Sequence, residues 1–210
     1  MALIQTIAVD GGQIGIWQFS ETADELFVQI QLNDSAKAEL AKYSYEKRKT
    51  EWLAVRVMLR QLIGSEFSIM YSEFGKPILI HSKYKYLSIT HAREYAAVFI
   101  HERHEVGIDL ECISRNYSPI AKRYLSQEEL KHVQGNPLLQ CLYWCAKEAI
   151  FKVVPHDGIE FKEDIRIQAF NPENEGSFSA KFLHQDDQRD FQLNYILLEN
   201  YGLVWVVEQH

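Results

Sequence analysis

The sequence predicts an α+β protein of two similar lobes, each a long helix packed on a mainly antiparallel sheet, and three observations predict it. Apolar residues at helical spacing mark two long amphipathic segments, about 45–63 (with Trp52, Val55, Leu59 and Leu62) and 137–153, flanked by runs that read as strands. Shifting the sequence by 92 places Gly15-Ile16 on Gly107-Ile108, Trp52 and Ala54 on Trp144 and Ala146, and Arg60 on Lys152. Equal offsets at separate places are the mark of a duplicated unit. No Pro/Gly-rich or low-complexity stretch interrupts the chain. The lobes expected are 1–104 and 105–210, and a pocket at their interface is the natural place for a ligand.

The elements follow in order. Apolar runs at 3–9 and 13–19 read as strands, followed by polar helical segments to about 42. Ser44 can cap the first long helix. Strands are expected at 67–71, 86–90, 95–101 and 105–112, where β-branched and aromatic residues are prominent. Short helices should occupy 118–134, because Ser126 followed by Glu129 makes a capping box. Asn136-Pro137, a cap and a first-position proline, opens the second long helix. Strand-like runs at 165–170, 178–184, 190–198 and 203–208 finish the chain.

Composition narrows the function. The 210 residues are 47% hydrophobic and 24% charged, enough for a sizeable core. A mean hydropathy of -0.25, with no run of ~18 apolar residues, predicts no transmembrane span and no membrane partner. The opening MALIQTIAVDGG has no basic stretch before an apolar run, so no secretory signal is expected. Cys112, Cys141 and Cys145 are three in number and lack CxxC spacing, which favours a reducing cytoplasm over a disulfide framework. A net charge of -7 argues against nucleic acid, whose phosphates demand surplus Lys and Arg. Residues 42–93 nevertheless hold ten Lys/Arg against four Glu, a local +6. That is either a solvated helix face or a pocket for a small polyanion.

The residues that suggest chemistry lie in the second lobe. Asp109 and Glu111 are two apart in a strand-like run and share a face. Glu148 and Lys152 are four apart on the second long helix and also share a face. Gly107 leaves room for a close approach of backbone or ligand. Three convergent carboxylates make an all-oxygen site for magnesium or manganese, and Lys147 and Lys152 beside it would suit a pyrophosphate. Each pair alone reads more simply as solvated surface; both together are harder to dismiss. At the shifted positions the first lobe carries Trp17 in place of Asp109 and Arg56 in place of Glu148. A cleft with metal on one wall and phosphates on the other is the expectation.

Val106-Gly-Ile-Asp-Leu-Glu111 and Trp144-Cys-Ala-Lys-Glu-Ala-Ile-Phe-Lys152 resemble the signature blocks of the 4'-phosphopantetheinyl transferase superfamily. Phe74-Gly-Lys-Pro77, Leu87-Ser-Ile-Thr-His-Ala92 and Ala121 to Leu130 agree, and the resemblance spans about residues 44–160. Length and duplication look like the monomeric, surfactin-synthetase-activating type. The resemblance implies transfer of the phosphopantetheine arm of coenzyme A to a serine of an apo acyl or peptidyl carrier protein, with release of adenosine 3',5'-bisphosphate. It implies Asp109, Glu111 and Glu148 as magnesium ligands, and Lys147 and Lys152 as phosphate-neutralising groups. His91, Thr90 and Arg48 would bind the 3'-phosphate, Lys76 would lie near the adenine end, Arg56 matches a family arginine, and Glu129 a glutamate near the metal. Glu148 is the candidate base for the serine proton, and Lys152 acts beside it. The family often has Ser-His-Ser where this chain has Thr90-His91-Ala92, which changes the 3'-phosphate pocket in detail.

Two other readings compete: a binding-only relative that keeps the coenzyme A pocket, and a magnesium-dependent phosphohydrolase that uses water. Cys141, Cys145 and upstream His132 could in principle hold zinc, but buried small apolar residues are the simpler reading.

Overall fold

Two antiparallel sheets, each backed by one long helix, organise the chain; the computed structural model describes residues 3–64, 66–154 and 158–208. The first half runs β1 (Leu3–Val9), β2 (Gly12–Gln18), α1 (Ala23–Phe27), α2 (Asp34–Leu40), α3 (Glu46–Ile63), β3 (Ser68–Tyr71), β4 (Pro77–Ile80), β5 (Tyr86–His91) and β6 (Tyr95–His101). The second runs β7 (Val106–Cys112), α4 (Ala121–Tyr124), α5 (Gln127–Val133), α6 (Pro137–Val153), α7 (Phe161–Asp164), β8 (Ile165–Ile167), β9 (Glu175–His184), β10 (Asp187–Leu198) and β11 (Tyr201–Val207).

The sheet orders are β1-β2-β6-β5-β4-β3 and β7-β11-β10-β9-β8. With β1 set aside, both follow one plan: a strand, a long helix, then four strands of which the last returns beside the first. The duplication suggested by the 92-residue offset is therefore visible in the topology. Gly15 on β2 and Gly107 on β7 do the same work in each half. A Cβ on Gly15 would stand 2.8 Å from Leu62 Cδ1 on α3, and one on Gly107 would stand 1.9 Å from the Ala149 carbonyl oxygen on α6. Each glycine lets its strand touch its helix.

The β7 strand is buried on both faces, with opposite duties. Val106, Ile108 and Leu110 pack with Ile14, Ile16, Ala97 and Phe99 of the first sheet, so the two sheets share a core. Gly107, Asp109 and Glu111 alternate onto the other face, toward α6. Gly202, which pairs with Glu111, confirms the direction, since a Cβ there would meet Leu142 and Cys141. Because β7 ends its sheet, its outer N–H groups have no strand partner. Ser88 and Thr90 of β5 supply them: Ile108 N donates to Ser88 Oγ at 3.1 Å and Leu110 N to Thr90 Oγ1 at 3.2 Å.

The capping box forms as expected, with Ser126 N on Glu129 Oε2 at 2.7 Å and Glu129 N on Ser126 Oγ at 3.2 Å. Asn136 caps α6 and Pro137 opens it. The expected cap at Ser44 does not form: Tyr45 occupies the position without a side-chain hydrogen bond. Two elements were not anticipated, β4 and α7. Each has four residues, too few for a hydrophobic period to show, and β4 begins at a proline.

Candidate active site

Asp109 is the centre of the site. It is 7% exposed, and one oxygen, Oδ1, accepts from Thr90 Oγ1 at 3.0 Å and from Lys152 Nζ at 2.9 Å. Lys152 also donates to the Ile108 carbonyl at 2.7 Å, so β7 holds both ends of this contact. The second oxygen, Oδ2, is buried with no hydrogen-bond partner. Thr90 thus spends its proton on Asp109 and its lone pair on Leu110 N, and ties the first sheet to the carboxylate of the second. Thr90→Val should destabilise the protein by about 1–3 kcal/mol, because it strands a buried N–H, whereas Thr90→Ser should keep most of the stability. Urea unfolding checks this, and a Val variant as stable as the parent would refute the tie.

Glu111 and Glu148 complete the acidic wall. Burial first, and the Asp109 charge second, raise the pKa of Glu111 from its ordinary value; the same two causes push Glu148 up to about 7. Lys152 pulls Glu148 partly back. Glu111 is held by Arg115, whose guanidinium also lies 5.3 Å from the Tyr117 ring and 5.5 Å from the Trp144 ring. Among the described residues no three such side chains are gathered into a ready-made cation cluster. The donor set nevertheless fits a divalent cation. It offers an orphaned buried carboxylate oxygen and two more carboxylates whose mutual repulsion a dication would relieve, all hard oxygen donors.

A second group lies on the first lobe. Arg48, Arg56 and His91 line one cavity of about 380 Å³, together with Glu51, Trp52 and Tyr71. Arg48 Nη1 is 3.0 Å from His91 Nε2 and 3.0 Å from Glu51 Oε2. Arg56 lies over the Trp52 ring at 3.2 Å and donates to Glu39 Oε2 at 3.3 Å. His91 directly follows Thr90, so β5 carries one residue to each wall. Burial lowers the His91 pKa, with Glu51 opposing and Arg48 adding to the effect.

Four expected residues have other partners. Lys147 is 0% exposed, and its three N–H bonds go to Glu129 Oε2 at 2.8 Å and to the carbonyls of Phe161 at 2.9 Å and Ile165 at 2.7 Å. No donor remains for a phosphate. Its partner Glu129 also accepts from Ile167 N at 2.9 Å and from its own cap, and so acts as a buried strut. Lys76 pairs with Glu105 at 2.7 Å, and does not line the cavity of Arg48 and His91. Thr90, expected at a phosphate, has its hydroxyl committed to Asp109 and Leu110. Sequence reasoning missed Glu51, Glu39 and Arg115. The i, i+4 pair Trp52–Arg56 was the available signal for a stacked guanidinium; the carboxylates gave none.

Comparison with known proteins matches residues 105–206 to the model of the 4'-phosphopantetheinyl transferase superfamily. Over those residues, a little under half of the chain, the sequence is similar to that superfamily. The matched region contains Asp109, Glu111, Glu148 and Lys152, the residues that the fold brings to one face of β7 and α6. Among curated relatives, the 4'-phosphopantetheinyl transferase AcpT of Salmonella typhimurium is 29% identical over 112 residues, 50% of this chain and 58% of that protein. The AcpT of Salmonella typhi matches with the same identity and coverage. The chain therefore spans little more than half the length of these relatives. No helix among the described residues is long and apolar enough to cross a membrane.

Proposed function

We propose that the protein is a 4'-phosphopantetheinyl transferase that moves the phosphopantetheine arm of coenzyme A to a serine of an apo acyl or peptidyl carrier protein. The observation that carries this reading is Asp109: a buried carboxylate with one orphaned oxygen, inside the region similar to the superfamily, facing Glu148 and Lys152. In the reaction the serine oxygen bonds to the phosphorus that bears pantetheine, the bond to the leaving phosphate breaks, and adenosine 3',5'-bisphosphate departs.

Each residue has a task in that step. Glu148, whose pKa is close to neutrality, takes the serine proton. Two of the Lys152 N–H bonds are fixed by Ile108 and Asp109, and the third faces a phosphoryl oxygen. Arg48, Arg56 and His91 hold the nucleotide end from the other lobe. Asp109, Glu111 and Glu148 would hold magnesium or manganese, which when bound neutralises pyrophosphate charge. The lobes divide at 104/105, and one chain supplies both walls, so the protein works as a monomer. Cys112, Cys141 and Cys145 are free thiols, in keeping with a cytoplasmic setting.

The test is intact mass spectrometry of a panel of apo carrier proteins incubated with the protein, coenzyme A and magnesium, with and without chelator. The expected result is a chelator-sensitive gain of one phosphopantetheine. Coenzyme A binding without any gain would support the binding-only reading, and coenzyme A hydrolysis without a carrier would support the phosphohydrolase.

A further inference from the structure

A diphosphate brought to the acidic wall meets few free cations. Asp109, Glu111 and Glu148 are all negative once ionised, and Lys147 is consumed by Glu129. Lys152 has given N–H bonds to Ile108 and Asp109. Arg115 is the other cation of this wall, and it is less committed. Its Nη1 donates to Glu111 Oε1, and among the described residues no second acceptor takes a hydrogen bond from the guanidinium. An arginine carries five N–H donors, so most of its capacity stays open. The side chain is 42% exposed but not loose, because the Tyr117 and Trp144 rings lie 5.3 and 5.5 Å from the guanidinium. The two cations mark opposite ends of the carboxylate row, Lys152 at Asp109 and Arg115 at Glu111. The charge of each reaches Glu148 and opposes the rise of its pKa. Lys152 is also among the charges acting on His91, so its end is the one nearer the nucleotide cavity.

Resting on the proposed transfer reaction, we infer that Arg115 is a catalytic residue that donates to the non-bridging oxygens of the transferred phosphoryl group, the one bearing pantetheine. Lys152 meets the phosphate on the nucleotide side, which departs in adenosine 3',5'-bisphosphate. As the serine oxygen bonds to phosphorus and the bond to the leaving phosphate breaks, Arg115 keeps its proton and supplies only hydrogen bonds. Its planar fork reaches two oxygens of one phosphoryl group, a geometry that a lysine lacks. Without it, the carboxylates and the diphosphate together would face Lys152 as the one protein cation at this wall. Glu111 and the two rings keep the guanidinium aimed before the donor arrives.

The experiment measures kcat and the KM for carrier in the parent, Arg115→Gln and Arg115→Lys, at saturating coenzyme A. Calorimetric affinities for coenzyme A and for adenosine 3',5'-bisphosphate are measured in parallel. Magnesium is held at a concentration where doubling it changes neither reading. Arg115→Gln should lower kcat by about a hundredfold and weaken coenzyme A by about tenfold. The bisphosphate, which lacks the transferred phosphoryl, should bind within about threefold of the parent, and the KM for carrier should move no more than that. Arg115→Lys keeps a charge opposite Glu111 and so covers the case of a poorly folding Gln variant. It should hold coenzyme A within about threefold of the parent yet lose about tenfold in kcat, because the fork is gone. A raised KM for carrier with kcat and coenzyme A affinity unchanged would overturn the inference and make Arg115 a docking residue. Equal losses for coenzyme A and the bisphosphate would also overturn it, as expected of a residue that merely supports the wall. So would an Arg115→Gln variant that matches the parent throughout. If the parent modifies no carrier, the transfer reading itself fails, and the contrast between the two affinities alone decides the role of Arg115. A parent that binds neither ligand overturns both.

Discussion

Glu148→Gln is expected to slow phosphopantetheine transfer by about a hundredfold or more while making the metal-free protein more stable at alkaline pH. Both effects have one cause. Burial and the neighbouring Asp109 push the Glu148 carboxyl from its ordinary 4.5 up to about 7. The folded state therefore holds this proton more tightly than the unfolded state does. The group's contribution is fully present below about 4.5 and is lost as the pH rises through about 7. At pH 8 an ionised Glu148 then costs roughly 2–3 kcal/mol, discounted for its partial exposure. In chelator, Glu148→Gln should unfold at higher urea than the parent at pH 8, and the gap should close at pH 4. Magnesium should stabilise the parent more at pH 8 than at pH 5, because it binds the ionised form. Near-normal turnover of Glu148→Gln would remove Glu148 from the mechanism.

The largest stability effect is expected at Lys147. Lys147→Ala leaves the Glu129 carboxylate, already turned inward between Ser126 and Ile167, without its counter-charge. It also strips the donor from the buried Ile165 carbonyl and the half-buried Phe161 carbonyl. Breaking a buried pair from one side costs about 3–5 kcal/mol, a large part of an ordinary domain's stability. Burial first, with the Arg166 charge adding, pulls the Lys147 pKa down to about 8 against the opposing pull of Glu129, in keeping with a side chain that is 0% exposed. The urea midpoint should fall sharply for Lys147→Ala, and Lys147→Met with Glu129→Gln should recover part of the loss, since neither charge is then buried. A stable Lys147→Ala whose only defect is weak coenzyme A binding would restore Lys147 to the phosphate site.

Glu148 and Lys147 are neighbours in sequence, yet one faces β7 and the other the buried strut at Glu129. That contrast shows what a sequence can and cannot disclose. Strand and helix identities were legible because period-two and helical patterns are local and strong: β7 alternates Val106, Ile108 and Leu110 with Gly107, Asp109 and Glu111, and α6 opens with a cap and a proline. The duplication was legible at Gly15 and Gly107 because a glycine under a helix is demanded by close approach, and both copies kept it. The acidic wall was legible because Asp109, Glu111, Glu148 and Lys152 share faces by spacing alone.

The other wall was not legible to the same degree. Arg48, Arg56 and His91 line one cavity, but Glu51 in it and Glu39 behind Arg56 come from positions whose spacing reads as ordinary helix surface. Thr90 looked like a phosphate ligand because the family resemblance places a hydroxyl residue beside the histidine there. Only the edge position of β7, which needs acceptors for its outer N–H groups, diverts it to Leu110 and Asp109. By itself the sequence determined the elements, the repeat and the pairs Asp109–Glu111 and Glu148–Lys152, each on one face of its own element, since these follow from local periodicity. Tertiary structure decided which charges were spoken for. Whether a lysine or threonine is free to meet a ligand depends on long-range partners, such as Glu129 for Lys147 and Asp109 for Thr90, that no spacing along the chain encodes.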